Sequence, residues 1–153
     1  MTKLFALLLS LIVSLSAVSE TRKGLVETIS RVSFVETVST LETILKKKDF
    51  TIFAKVDHQA NAAKVKQKLP ASTLFIFGKP QVGTAIMKDR IRFGIDLPVK
   101  MYVFQEKGKV KIVFNDPHYL ADRHGSNQKI PQFKGMKKAL TTIAKKAARG
   151  NGT

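Results

Sequence analysis

A β-hairpin decides how this chain folds, and it is predicted by the stretch Met101-Tyr102-Val103-Phe104-Gln105-Glu106-Lys107-Gly108-Lys109-Val110-Lys111-Ile112-Val113-Phe114. Two β-rich runs, 101–105 and 109–114, flank a short turn that contains Gly108. In the second run Lys109 and Lys111 alternate with Val110 and Ile112, and this period of two places one face of a strand on a core and the other in water. The hairpin therefore predicts a sheet with one packed face.

Alternating strands and helices precede the hairpin. The strands are predicted over residues 25–29, 50–56 and 73–77. The helices are predicted over 33–48, from Asp57 to about Leu69, and after the turn Gly78-Lys79-Pro80. The first helix begins at a capping box formed by Ser33 and Glu36, in which each side chain reaches a free backbone N–H.

Two more helices follow the hairpin, over residues 117–124 and 133–147. Asp116 is a good N-cap for the first of them, Pro117 suits its first turn, and Gly125 ends it. The complete order is β-α-β-α-β-α-β-β-α-α. It predicts a two-layer α+β domain with a mixed β-sheet and helices packed on it.

The composition is that of a folded and strongly basic protein. The 153 residues include 27 Lys and Arg against 11 Asp and Glu, a formal charge of +16, and 44% are hydrophobic. That apolar fraction is too high for intrinsic disorder. Because the sequence has no Cys, a disulfide framework, zinc knuckles and thiol chemistry are excluded for it.

Residues 1–19 have the pattern of a secretory signal peptide. Lys3 precedes an apolar run from Leu4 to Val18, and small residues end that run. We expect cleavage after Ser19 and a periplasmic or secreted mature protein that begins at Glu20, without a transmembrane segment. An uncleaved membrane anchor is the alternative, although the run is shorter than the ~20 residues that span a bilayer.

The positive charge is concentrated at the other end of the chain. Residues 123–153 contain eight basic side chains and no acidic one. The pattern divides the mature chain into a domain over 20–125 and a basic C-terminal helix and tail over 126–153. That helix is either an ordinary solvated face or a surface for anionic lipid or an acidic partner; an exported protein meets little nucleic acid, so nucleic acid is disfavoured.

Three histidines are the only side chains with ordinary pKa values near neutral. The helical patterns place His58 and His124 on inward faces. Together with Asp116 they could hold a divalent metal such as copper, nickel or zinc, whose sites take imidazole and carboxylate ligands. The alternative is that both histidines are structural and are satisfied by hydrogen bonds in the core.

Four blocks of sequence lie in order along the chain. They are Phe53-Ala54-Lys55-Val56-Asp57-His58 with Ala62 to Val65, then Leu74 to Thr84, then Asp96-Leu97-Pro98-Val99-Lys100, and finally Asn115-Asp116-Pro117 to Gly125. Over roughly Val26 to Gly125 they resemble the family called domain of unknown function 302. The resemblance implies a compact α/β domain, often exported in bacteria, that forms a homodimer. Related sequences of this family usually have a glycine before the second strand, where this chain has Asp49. Asp tolerates a left-handed turn, so this difference is compatible with the fold.

Seven polar residues lie in or beside these blocks, and we predict that they converge in one ligand-binding cleft. They are Asp57, His58, Lys100, Asn115, Asp116, Tyr119 and His124. The prediction rests on the coincidence of these residues with the blocks of the family, because no catalytic motif such as Gly-x-Ser-x-Gly or His-Glu-x-x-His occurs in the sequence.

The sequence favours a non-enzymatic, exported binding module that forms a homodimer and binds a small ligand or metal near His58 and His124. No cofactor is required by its residues. One alternative is a hydrolase- or lyase-like enzyme with His58 or His124 as general base. Another is a protein that binds an anionic membrane or an acidic partner through its basic C-terminal helix.

Overall fold

A computed structural model describes residues 23–126 and 131–150, and the elements follow the predicted order. The strands are β1 Leu25–Ile29, β2 Thr51–Asp57, β3 Ser72–Gly78, β4 Val99–Glu106 and β5 Lys109–Asn115. The helices are α1 Phe34–Lys47, α2 His58–Lys64, α3 Pro80–Asp89, α4 Pro117–Arg123 and α5 Pro131–Ala147, with a 3₁₀ helix, Ile91–Ile95, between α3 and β4. The signal peptide predicted over residues 1–19 lies outside the described residues.

The five strands form one sheet in the order β1-β5-β4-β3-β2, and every neighbouring pair is antiparallel. The two-layer α+β class is confirmed, but the prediction of a mixed sheet is wrong. A parallel pair needs a crossover between adjacent strands. The crossover through α1 instead carries the chain from β1 at one edge of the sheet to β2 at the other.

The main hydrophobic core lies between one face of the sheet and helices α1 and α5. Alternate strand residues such as Phe75, Met101 and Ile112 are fully buried there, against Leu41 of α1 and Ile143 of α5. The strand residues between them point to the opposite face and are only half-buried. This alternation is the period of two that the hairpin predicted.

Helix α5 is part of this domain. Its side chains Leu140, Ile143, Ala144 and Ala147 are buried in the main core. Near its end, the carbonyl of Ala148 accepts the N–H of Arg31 at 2.8 Å. The division of the chain at residue 125 therefore does not separate two folding units.

The ends of the helices show which local sequence signals predicted a helix boundary correctly. The Ser33 cap is confirmed, since its Oγ accepts the N–H of Glu36 at 3.2 Å. Asp49 adopts the left-handed turn with φ 55°. Helix α2, however, ends at Lys64 and not near Leu69, because Lys66 takes φ 57° and the N–H of Gln67 turns back to the carbonyl of Ala62 at 2.9 Å.

A second, smaller core holds α3 and the 3₁₀ helix beside α4 and α5. It consists of Ile86, Phe93, Ala121 and Phe133. The ring of Phe93 lies 5.1 Å from that of Phe133. These contacts anchor α3 near its C-terminal end.

Candidate functional site

Two of the predicted site carboxylates cap helices. Asp57 accepts the N–H of Ala60 at 2.8 Å at the start of α2, and Asp116 accepts the N–H of His118 at 2.9 Å at the start of α4. An N-cap oxygen satisfies a backbone donor that the helix leaves free. Each of these positions is thus explained by its own helix.

The two halves of the predicted cleft lie far apart on the sheet. Asp57 pairs with Thr73, which lies opposite Val103, which in turn lies opposite Ile112, three residues before Asn115. Three strand spacings and three residues of rise separate Asp57 from Asn115 by roughly 18 Å. The prediction that the seven residues converge is therefore wrong, because the sheet register keeps His58 and Asp116 apart.

His58 and His124 have different neighbours. The rings of His58 and Tyr102 are nearly perpendicular, with centroids 5.7 Å apart. His124 Nε2 lies 2.6 Å from Asp96 Oδ2, and its ring lies 4.2 Å from that of Phe93. Arg123 also donates to Asp96, at 3.1 Å.

The metal site predicted from His58, Asp116 and His124 is not formed. Within the described ranges, no group of three or more His, Asp or Glu side chains is arranged to hold a metal ion. His124 has an orienting carboxylate in Asp96, as a general base would need, but only 10% of its side chain is exposed. The arrangement matches the structural alternative that the sequence left open.

The other predicted residues have local contacts. Lys100 Nζ donates to the carbonyl of Pro98 at 3.3 Å. The Tyr119 ring lies so close to Gly24, at φ 83°, that a Cβ there would meet the ring at 2.6 Å. The carbonyl of Gly24 accepts the N–H of Asp116 at 2.9 Å. Tyr119 thereby packs the residues before β1 against α4.

Asp116 joins α4 to α5 electrostatically. Burial raises the pKa of its carboxyl, but hydrogen bonds from Lys137 Nζ, at 2.7 Å, and from the N–H of His118 outweigh burial and lower the pKa below its ordinary value. Glu42 is similar: hydrogen bonds from Lys46 and Lys55 lower its pKa to about 2. Both carboxylates are charged at neutral pH and stabilise the helices that carry them.

We expect the substitution Lys137→Met to destabilise the protein by about 1 kcal/mol or less at pH 6, because the pair is partly exposed. Because the pKa of Asp116 is lower in the folded protein than the ~3.9 of an unfolded chain, the charged carboxylate adds to the free energy of unfolding above that pH. This contribution disappears as the pH falls through the pKa of the folded state. The deficit of the variant should shrink between pH 5 and pH 2. Urea unfolding at several pH values measures it, with Lys145→Met on the same helix as control. A deficit independent of pH would contradict the assignment.

A large groove lies between α3, α5 and the neighbouring end of the sheet, and we call it the α3–α5 groove. Its volume is about 1010 Å³. Its apolar lining consists of side chains from several elements, among them Phe50, Phe53, Val82, Met87, Leu97, Met136, Leu140 and Ile143. Among the residues that the structure describes, four lysines, Lys47, Lys48, Lys79 and Lys138, also line it, and no Asp or Glu does.

Two glycines line opposite walls of this groove. Gly83 lies within α3 and Gly135 within α5. A Cβ at either position would meet no atom within 4 Å. Glycine inside a helix is about 1 kcal/mol less favourable than alanine, so both helices keep a less stable residue where the groove is open.

The sequence reasoning missed the groove and the Asp96–His124 pair. Gly135 interrupts the interior of a helix with good helix formers around it, and that was the available signal. Asp96 lies in one of the four resemblance blocks, but no local spacing connects it to His124.

The comparisons with known proteins identify the family. The model of the family described as "Domain of unknown function DUF302" matches residues 26–147. The chain is a member of the DUF302 family. The match includes the whole of α5, in agreement with the place of this helix in the core.

Curated relatives of this DUF302 chain come from Brucella. "Fluoride-specific ion channel FluC 1" of Brucella suis biovar 1 (strain 1330) is 38% identical over 128 residues, which are 82% of this chain and 50% of that protein. "Fluoride-specific ion channel FluC 2" of Brucella melitensis biotype 1 is also 38% identical over 128 residues, or 82% of this chain and 47% of that protein. The chain spans about half the length of these relatives.

A solved structure supports the fold of the DUF302 chain. The "uncharacterized conserved protein DUF302 from Bacillus stearothermophilus" superposes with a TM-score of 0.75 at 18% identity, covering 82% of this chain and 99% of that one. Across the part of our chain that the structure describes, no helix is long and apolar enough to cross a membrane.

Proposed function

We propose that this protein is an exported, non-enzymatic binding module that holds a small amphipathic anion in the α3–α5 groove. The observation that carries the proposal is a groove of about 1010 Å³ whose described lining has apolar walls, four lysines and no acidic side chain. Small-molecule sites are typically concave and apolar, with volumes of ~300–1000 Å³ and few polar groups. The proposal moves the ligand away from His58 and His124.

The lining determines the ligand chemistry. Aromatic and aliphatic side chains such as Phe53, Met87 and Met136 match an aliphatic chain. Lys79 Nζ lies 5.3 Å from the centre of the Phe50 ring, so a cation is held next to the apolar wall. A carboxylate or phosphate head would be attracted by the lysines, whereas a cationic head would be repelled.

A pair of ligands with the same tail and opposite heads tests the proposal. In calorimetric titrations below their micellar concentrations, we expect dodecanoate to bind at least about tenfold more tightly than dodecyltrimethylammonium, a difference of ~1.4 kcal/mol. The substitution Gly135→Leu should weaken dodecanoate binding by about tenfold or more, because the side chain fills the groove. Gly135→Ala is the matched control: it should stabilise the helix by about 0.5–1 kcal/mol and leave binding nearly unchanged.

Two results would contradict the proposal that the ligand binds in the α3–α5 groove. One is equal affinity for the two amphiphiles, which would show that the lysines do not select the anion. The other is undiminished dodecanoate binding by a folded Gly135→Leu protein, which would place the ligand elsewhere. The double substitution Lys79→Gln, Lys138→Gln tests the role of the head group separately from that of the tail. It should reduce the preference for the anion, because two of the four lysines are lost while the apolar walls remain.

The homodimer belongs to the same proposal. The outer face of the sheet carries half-buried Leu74, Tyr102 and Phe104. One lysine of this face, Lys111, lies 2.9 Å from Glu106 and 3.2 Å from Glu27, so the charge of that side chain is balanced within the face. Such a surface supports pairing with a second copy. Native mass spectra of the dodecanoate complex report the oligomeric state. A monomeric protein at micromolar concentration would contradict the proposed homodimer.

Export is the proposed location, supported by the pattern of residues 1–19. The same mass spectra give the mass of the mature chain, and cleavage after Ser19 is expected. The Brucella relatives contain the matched stretch within chains named as fluoride-specific ion channels. Since a channel lies in a membrane, those relatives support a working position near a membrane; ion conduction is not part of the proposal.

A further inference from the structure

The 3₁₀ helix between α3 and β4 carries two unusually exposed isoleucines. Ile91 is 78% exposed and Ile95 is 72% exposed. Between them, Phe93 is fully buried in the second core. The N–H groups of Asp96 and Leu97 both bond to the carbonyl of Phe93 at 3.0 Å. The segment is thus held firmly while its two apolar side chains stand in solvent.

Basic residues flank these isoleucines along the chain. Lys88, Arg90 and Arg92 are exposed beside them in sequence. Arg90 also reaches the carbonyl of His124, at 3.3 Å, and Arg123 lies on Asp96. The one exposed acid of the segment, Asp89, faces the Arg90 guanidinium at 3.8 Å. The patch formed by residues 88–95 therefore combines two exposed apolar side chains with an excess of positive charge.

We infer that the 88–95 patch docks on an anionic lipid bilayer. Aliphatic side chains enter the boundary between headgroups and acyl chains, while Lys and Arg stay at the level of anionic headgroups. The positive charge of the patch is complementary to the negative charge of an anionic bilayer. Met87 and Leu97, which flank the patch, line the α3–α5 groove, so docking brings the groove close to a source of amphipathic anions. The docking itself does not depend on what the groove binds.

The absence of Trp from the sequence allows a direct test. The protein with Ile91→Trp should show a blue shift of its fluorescence when it meets vesicles of phosphatidylcholine mixed with phosphatidylglycerol, and none with phosphatidylcholine alone. The matched control is Val35→Trp. Val35 is 74% exposed in the first turn of α1, beside the acidic Glu36, and its tryptophan should not shift.

Co-sedimentation with the same vesicles gives the affinity. The double substitution Ile91→Ser, Ile95→Ser should lower partitioning by about tenfold or more, since two apolar side chains leave the interface. Circular dichroism confirms the fold, because both positions are on the surface. The comparison variant Lys134→Gln, Lys145→Gln alters the exposed basic face of α5 and should have a smaller effect.

Three results would overturn the inference. They are equal binding to neutral and anionic vesicles, full binding by the double isoleucine variant, and a larger loss from the α5 variant than from the isoleucine variant. The last result would transfer membrane binding to the C-terminal helix. None of these results bears on dodecanoate binding in solution. Ligand binding in the groove and membrane docking by the patch are therefore tested independently.

Discussion

Removal of residues 132–153 is expected to unfold the rest of the chain. The deletion takes away Phe133, Leu140 and Ile143, each no more than 2% exposed, together with the buried alanines of α5. Burial of three such side chains contributes about 5–9 kcal/mol. That is comparable with the ~5–15 kcal/mol by which a whole domain is stable. Far-UV circular dichroism and thermal unfolding of the truncated protein measure the loss.

A charge variant separates packing from electrostatics in this experiment. Lys145→Gln with Lys146→Gln removes two exposed cations from α5 but leaves its apolar side in the core. We expect it to unfold cooperatively near the temperature of the unaltered protein. If the truncated chain also unfolded cooperatively at that temperature, α5 would be an appendage and the boundary near residue 125 would be restored.

The substitution Phe93→Ala is expected to lower the free energy of unfolding by about 3–5 kcal/mol. Its ring is fully buried, 4.2 Å from the His124 ring and 5.1 Å from the Phe133 ring. The loss leaves a cavity at the point where the 3₁₀ helix, α4 and α5 meet. Urea unfolding at neutral pH gives the difference between the two proteins.

Phe53→Ala is the control for this measurement. Phe53 is 52% exposed, and its truncation should change the free energy of unfolding by less than about 1 kcal/mol. A loss at Phe93 no greater than that at Phe53 would show that the second core does not anchor α3. The Phe93 variant should also bind dodecanoate more weakly, because α3 forms one wall of the groove.

Much of the secondary structure was predictable because its signals are local. The hairpin around Gly108, the Ser33 cap and the Asp116 cap each depend on residues within one turn or one pair of strands. The end of α2 was not predictable in the same way. Lys66 takes a left-handed conformation that its residue type does not favour. The helical pattern of the sequence therefore predicts that α2 continues to Leu69.

The candidate site was mostly beyond reach of the sequence. His124 was correctly placed on an inward face, yet its partner is Asp96, 28 residues away. The sequence predicts Asp57 and Asp116 as ligands because both are polar residues within the blocks of the family. In the structure both serve backbone N–H groups.

The sequence by itself determined the strands, most of the helices, the strong positive charge and the family, because each depends on composition or on spacing along the chain. Tertiary structure decided the strand order and the α3–α5 groove. Whether two strands are neighbours depends on where the crossover through α1 returns, which no local pattern states. The second core joins α3 to α5, and the groove lies where Gly83 and Gly135 have no side chain to fill the space between these helices.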